Sequence, residues 1–177
     1  MNKLQKFMLV GSLVALVVEF HFKFLATFEP GAFIFTLFFY PIYLFFVYFA
    51  NEWVNKNIPG KKGDIIYYIV FGIVGLGFEW FMNNNSPWAN PQANQLGMFV
   101  YWVALTFIPR IFLNEKAELA PVKAGIKKYL IVYGIVNILV GVLLPQPFNF
   151  FFIVYIMMFA YIGLNYFYWK YLKIVYG

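Results

Sequence analysis

The sequence predicts an all-α, polytopic integral membrane protein: one domain of six transmembrane helices with both termini in the cytoplasm. Three observations predict it. Of the 177 residues, 63% are hydrophobic and 11% charged, whereas soluble domains carry roughly 25% charged residues. The apolar residues fall into six continuous runs, not into the period-two alternation of a barrel wall. The cations gather in alternate connecting segments. A chain this short could not hide so much apolar surface in water, because small domains bury only about two-thirds of what they could expose. Lipid is the expected solvent, and in lipid a continuous apolar run satisfies its backbone as a helix.

The first run, Phe7–Phe24, follows Lys3 and Lys6. A charged start before an apolar stretch has the form of a secretory signal. No small-x-small cleavage site follows Val18, where the chain reads Glu19-Phe20-His21-Phe22-Lys23, so an uncleaved span is expected. The second run, Gly31–Ala50, is rich in Phe and carries Pro41, which should kink it. The third, Ile65–Met82, contains Gly72, Gly75 and Glu79, and the fourth, Leu96–Leu113, contains Pro109. The fifth, Tyr129–Leu144, is the shortest and would borrow Lys127 and Lys128 as snorkelling anchors. The sixth is Phe148–Trp169. Most approach the ~20 residues needed to cross about 30 Å of hydrocarbon.

Orientation follows from charge. Twelve of the thirteen cations lie in the N-terminus, the second-to-third loop, the fourth-to-fifth region and the C-terminus, which share one side of a six-span protein. The opposite loops hold only Lys23. By the positive-inside rule both ends are cytoplasmic. Arg110, directly after Pro109, is expected to anchor a headgroup or meet Glu115.

The net charge of +6 sits between apolar runs, which suits anionic lipid headgroups and not nucleic acid. The absence of cysteine excludes disulfides, thiolate metal sites and cysteine catalysis. No phosphate-cradling glycine loop, Gly-x-Ser-x-Gly elbow or zinc-protease pair is present. Lys in place of Arg, with much Asn, Ile and Phe, reads as an AT-rich genome, hence a bacterial plasma membrane.

One spacing recurs in the odd-numbered runs. Met8, Ser12, Ala15 and Glu19 match Tyr68, Gly72, Gly75 and Glu79, then Leu130, Gly134, Asn137 and Gly141, in steps of four, three and four residues along one helical face. Three hairpins in a parallel pseudo-repeat would follow. Small residues let membrane helices approach closely. The odd helices are therefore expected inside, and the Phe-rich second and sixth helices in the lipid-facing shell.

Charge within a span is costly, at about 2.5–3.5 kcal/mol for Asp, Lys or Arg at its centre. Glu19 and Glu79 both fall in the predicted outer half, below a loop rich in amides. Candidate ligand-binding residues are Glu19, Glu79, Asn83, Trp88, Asn137, His21 and Lys23. Structural roles compete with this. Glu19 has Lys23 four residues on, in the favourable order for an intrahelical pair, and Glu79 could bond Asn137 or an outer amide. His21 is expected in the interfacial aromatic belt with Trp53, Trp80, Trp88 and Trp169. With Glu29 and Glu79 it lacks the His-x3-His or Glu-x2-His spacing of a metal site, so no metal and no cofactor are expected.

Six short spans in a small chain resemble the membrane substrate-binding subunits of vitamin importers, and Glu79-Trp80 resembles an intramembrane Glu-aromatic pair of carotenoid and terpenoid cyclases. Neither resemblance carries a residue's role over. The expected function is binding or transport of a small molecule or lipid through an outward-facing polar mouth. One alternative is an intramembrane enzyme on a lipid or isoprenoid-like substrate, with Glu79 as proton donor. Another is a non-catalytic accessory subunit that meets a membrane protein partner or a second copy of itself.

Overall fold

The computed structural model describes residues 1–177 and is all-helical, with six helices long and apolar enough to cross a membrane. Helix α1, Lys3–Glu19, starts from a capping box. The Asn2 side chain accepts the Gln5 N–H at 2.8 Å, and the Gln5 side chain accepts the Asn2 N–H at 3.0 Å. The chain then widens into a π-helical turn over Phe20–Ala26. Helices α2 (Pro30–Asn57) and α3 (Lys61–Phe81) follow. Helix α4, Gln95–Leu113, is capped by Asn94, whose side chain accepts the Gly97 N–H at 2.9 Å. A short 3₁₀ turn, Ala117–Leu119, leads into α5 (Ala120–Leu143), and α6 is Phe148–Tyr176. Pro41 and Pro109 lie inside uninterrupted helices.

Five helices outrun their apolar stretches, α1 by beginning at Lys3 and not Phe7. Helix α5 begins at Ala120 and not Tyr129, α6 reaches Tyr176 and not Trp169, α2 reaches Asn57, and α3 begins at Lys61. The added turns carry Lys56, Lys61, Lys62, Lys123, Lys127, Lys128, Lys170 and Lys173. A helix need not stop where hydrocarbon does, since polar turns are well solvated beyond it. Hydropathy reads the crossing length, not the helix length.

Consecutive helices pack as pairs, α1 on α2, α3 on α4 and α5 on α6, and α4 also packs on α1 and α6. The most enclosed helix is α4, buried continuously from Tyr101 to Ile111. The least enclosed is α5, which turns only Val122, Ile126, Tyr133 and Asn137 inward. This corrects the expectation of the odd helices inside: α5 is the least enclosed, α1 and α3 are no more buried than α2 and α6, and the enclosed helix is α4. The small residues of α1 and α3 mark places where bulky neighbours come close. Gly72 lies under the Phe99 ring, Gly75 under Trp102, and Gly11 against Leu44 and Pro109. Glycine makes room for α4, so the central helix is the one that supplies the large side chains. Phe38, Phe46, Phe151 and Phe152 do lie on the exposed apolar shell.

The end of the bundle that carries the chain termini is closed by a buried ion pair. Arg110, in the last turns of α4, donates to Asp64 in the first turn of α3 and to Asn51 of α2. Its guanidinium lies 4.8 Å from the centre of the Tyr67 ring. Tyr176 donates to the second Asp64 oxygen at 2.9 Å, and Tyr168 donates to the Asp64 carbonyl at 2.7 Å. Arg110 is therefore a packed residue and neither a headgroup anchor nor a partner of Glu115. Its planar guanidinium reaches the two acceptors from separate nitrogens in a fixed fork, which the single ammonium of a lysine does not provide.

Candidate functional site

At the opposite end of the bundle, α1, α2, α3, α4 and α6 enclose a cavity of about 700 Å³ that both Glu19 and Glu79 line. Glu19 is the last residue of α1 before the π-helical turn and is 9% exposed. Its Oε1 accepts from the Tyr40 hydroxyl at 2.6 Å and from the Tyr101 hydroxyl at 3.1 Å, and these two hydroxyls lie 2.8 Å apart. The other oxygen, Oε2, accepts no hydrogen bond, and Glu19 lines the cavity. Every partner of this carboxylate is neutral.

The expected Glu19–Lys23 pair does not form. Over Phe20–Ala26 the backbone takes the wider i→i+5 turn, which advances each residue by less than an α-turn. Lys23 pairs instead with Glu29 at the cavity rim, at 3.1 Å, where both side chains are partly exposed.

Glu79, in the last turn of α3, accepts from three N–H donors. Trp102 Nε1 reaches its Oε1 at 3.1 Å, and the Asn83 and Asn85 amides reach its Oε2 at 3.0 and 2.9 Å. The loop supplying these amides is itself built. Gln95 accepts from Trp80 Nε1 at 2.7 Å and donates to the Asn85 carbonyl at 2.8 Å, while the Ser86 hydroxyl accepts the Ala89 N–H at 3.2 Å. Of the two bonds expected for Glu79, the outer amide forms. Asn137 is not involved.

Trp102 ties the site to the core. Its indole stacks on Phe78 at 5.8 Å and meets Tyr43 edge-on at 5.1 Å, while its N–H holds Glu79. The walls also hold Phe39, Tyr161, Met98 and Met157, beside Thr36, Val154 and the amides of Asn90 and Gln92.

Of the sequence-derived candidates, Glu19, Lys23, Glu79 and Asn83 line this cavity. Trp88 does not. It is 69% exposed and packs edge-on against Trp80 at 5.4 Å. His21 and Asn137 lie on the far side of α1, against α5. His21 is 2% exposed and not an interfacial belt residue: from the π-helical turn it packs beside Gly134 of α5. It meets Tyr133 edge-on at 5.1 Å, and the nearest carbonyls are those of Val17 and Gly134. Neither ring nitrogen has a hydrogen-bond partner, nor has the Tyr133 hydroxyl or Asn137 Oδ1. An apolar groove of about 570 Å³ runs beside His21 between α1, α2 and α5.

Four residues of the site, Tyr40, Tyr101, Trp102 and Tyr161, do not stand out in the sequence. Tyrosine is frequent here, with 14 copies, so no single one draws notice. Trp102 carries a usable signal, since it lies well inside its span and not at an interface, and a buried indole N–H requires an acceptor. No group of three or more histidine, aspartate or glutamate side chains converges as metal ligands do. No protein family, curated protein or solved structure matches the chain.

Proposed function

We propose that this is a multi-pass cell-membrane protein that binds or moves a small molecule or lipid through the mouth of the Glu19–Glu79 cavity. The composition favours a bacterial plasma membrane, and the lysine distribution favours cytoplasmic termini with the mouth facing outward. One observation carries the reading. Carboxylates from two different helices open into a single cavity of about 700 Å³, and one oxygen of the nearly buried Glu19 is unengaged. A volume of this size lies within the roughly 300–1,000 Å³ of small-molecule sites. The chemistry of Glu79 suits this role better than an enzymatic one. All three of its partners are N–H donors, so both oxygens already serve as acceptors, which fits a carboxylate that orients a ligand more than an acid that delivers a proton.

The hairpin pseudo-repeat fits the same reading. Helices α1 and α3 bring equivalent carboxylates to one cavity, while α5 has Gly141 at that position and lies at the periphery. The test is thermal stabilisation of the purified protein across a panel of metabolites and lipids. At least one compound should raise the melting temperature, and Glu19→Gln and Glu79→Gln should each reduce that rise. Stabilisation unchanged in both variants, or a constant copurifying membrane partner with no stabilising compound, would overturn the reading in favour of an accessory subunit.

A further inference from the structure

We infer that the cavity is selective for organic cations with an apolar body, such as lipophilic amines or quaternary ammonium and phosphonium ions. The inference rests on reading the cavity as a ligand site and adds the ligand's chemical class.

Three carboxylates and one ammonium line the cavity: Glu19, Glu79 and Glu29 against Lys23. Lys23 is committed to Glu29 at the rim. That leaves Glu19 and Glu79 with no cationic partner, held only by phenols, an indole and amides. Neutral donors satisfy lone pairs but leave the charge uncompensated, and desolvated charge is tolerated when it is paired. The unengaged Oε2 of Glu19 gives the approaching cation a free acceptor.

The walls point the same way. Trp102, Phe78, Phe39 and Tyr40 line the cavity with the carboxylates and pack on one another. Aromatic faces attract cations through the ring quadrupole, most strongly when water is excluded. Met98 and Met157 add soft surface that adapts to irregular apolar shapes. An anionic headgroup would find no free cation here. A metal ion would find no cluster of three ligands. A neutral lipid would leave both carboxylates unpaired.

The test compares three probes of similar bulk on the full-length protein in nanodiscs of zwitterionic lipid: tetraphenylphosphonium, tetraphenylborate and neutral triphenylphosphine oxide. Saturable binding of the phosphonium should be at least tenfold tighter than that of either other probe. Glu79→Gln should weaken it at least tenfold, and so should Glu19→Gln, whereas Glu19→Asp should keep the preference for the cation. If Glu19→Gln does not fold, Glu79→Gln carries the test alone. Equal saturable binding of cation and neutral probe, or a phosphonium affinity unmoved by Glu79→Gln, overturns the cation assignment and leaves the ligand site standing. Binding of a compound from the metabolite panel when no probe binds does the same. Failure of every probe and every panel compound overturns both.

Discussion

Glu19 and Arg110 show how this fold handles charge inside an apolar bundle. Glu19 keeps one oxygen on two phenols and leaves the other free, whereas Arg110 spends its fork on Asp64 and Asn51. The first arrangement is incomplete and the second complete, which separates a site from a clamp. Arg110 is 8% and Asp64 1% exposed, so removing one partner strands a buried charge. Asp64→Asn should therefore destabilise the protein by about 3–5 kcal/mol, read as a lowered midpoint of unfolding in detergent. Replacing both residues by apolar side chains of similar volume should recover most of that loss. The carboxylates are legible in the sequence because charge in an apolar run is rare. Their partners are not. A tyrosine among phenylalanines looks like packing until the hydroxyl is seen to face a carboxylate, and Lys23 looks like the partner of Glu19 because helical spacing does not show that Glu29, beyond the turn, comes within reach of it.

Helices here are positioned by the side chains that fill the gaps left by glycine. Gly75 of α3 gives the Trp102 indole its place, and that indole in turn holds Glu79. Gly77, two residues along the same helix, has open space where a side chain would grow. Gly75→Val should abolish the monodisperse peak in size-exclusion chromatography or lower the melting temperature sharply. Gly77→Val should leave both close to wild type. Equal tolerance at the two positions would refute this role for glycine. The six helices long and apolar enough to cross a membrane are readable from hydropathy, since lipid demands apolar length. Helix ends are not, because lysine-bearing turns continue as helix beyond the apolar stretch. The centrality of α4 is hidden for a related reason: small residues show where two helices approach, but not which of the two is enclosed.

The molecule as a whole has two unlike ends. The end with the chain termini is packed shut by Arg110, Asp64, Asn51 and the hydroxyls of Tyr168 and Tyr176. The other end opens into the cavity under a braced amide loop. This asymmetry is what the proposed site, reached from one side of a membrane, requires; the two carboxylates of its cavity stand out in the sequence and the aromatic walls do not. The chain contains no cysteine, so single cysteines can report on each surface without background. The most direct measurement is reaction of a membrane-impermeant thiol reagent, added to intact cells, with three variants. Val154→Cys lies on the cavity wall in α6, Phe159→Cys lies on the exposed apolar face of the same helix, and Lys116→Cys lies at the end with the termini. Thiols react as thiolates, which need water. Val154→Cys should be labelled, Phe159→Cys should not, and Lys116→Cys should be labelled only after permeabilisation. A Val154→Cys as unreactive as Phe159→Cys would contradict an open, water-reached cavity between Glu19 and Glu79.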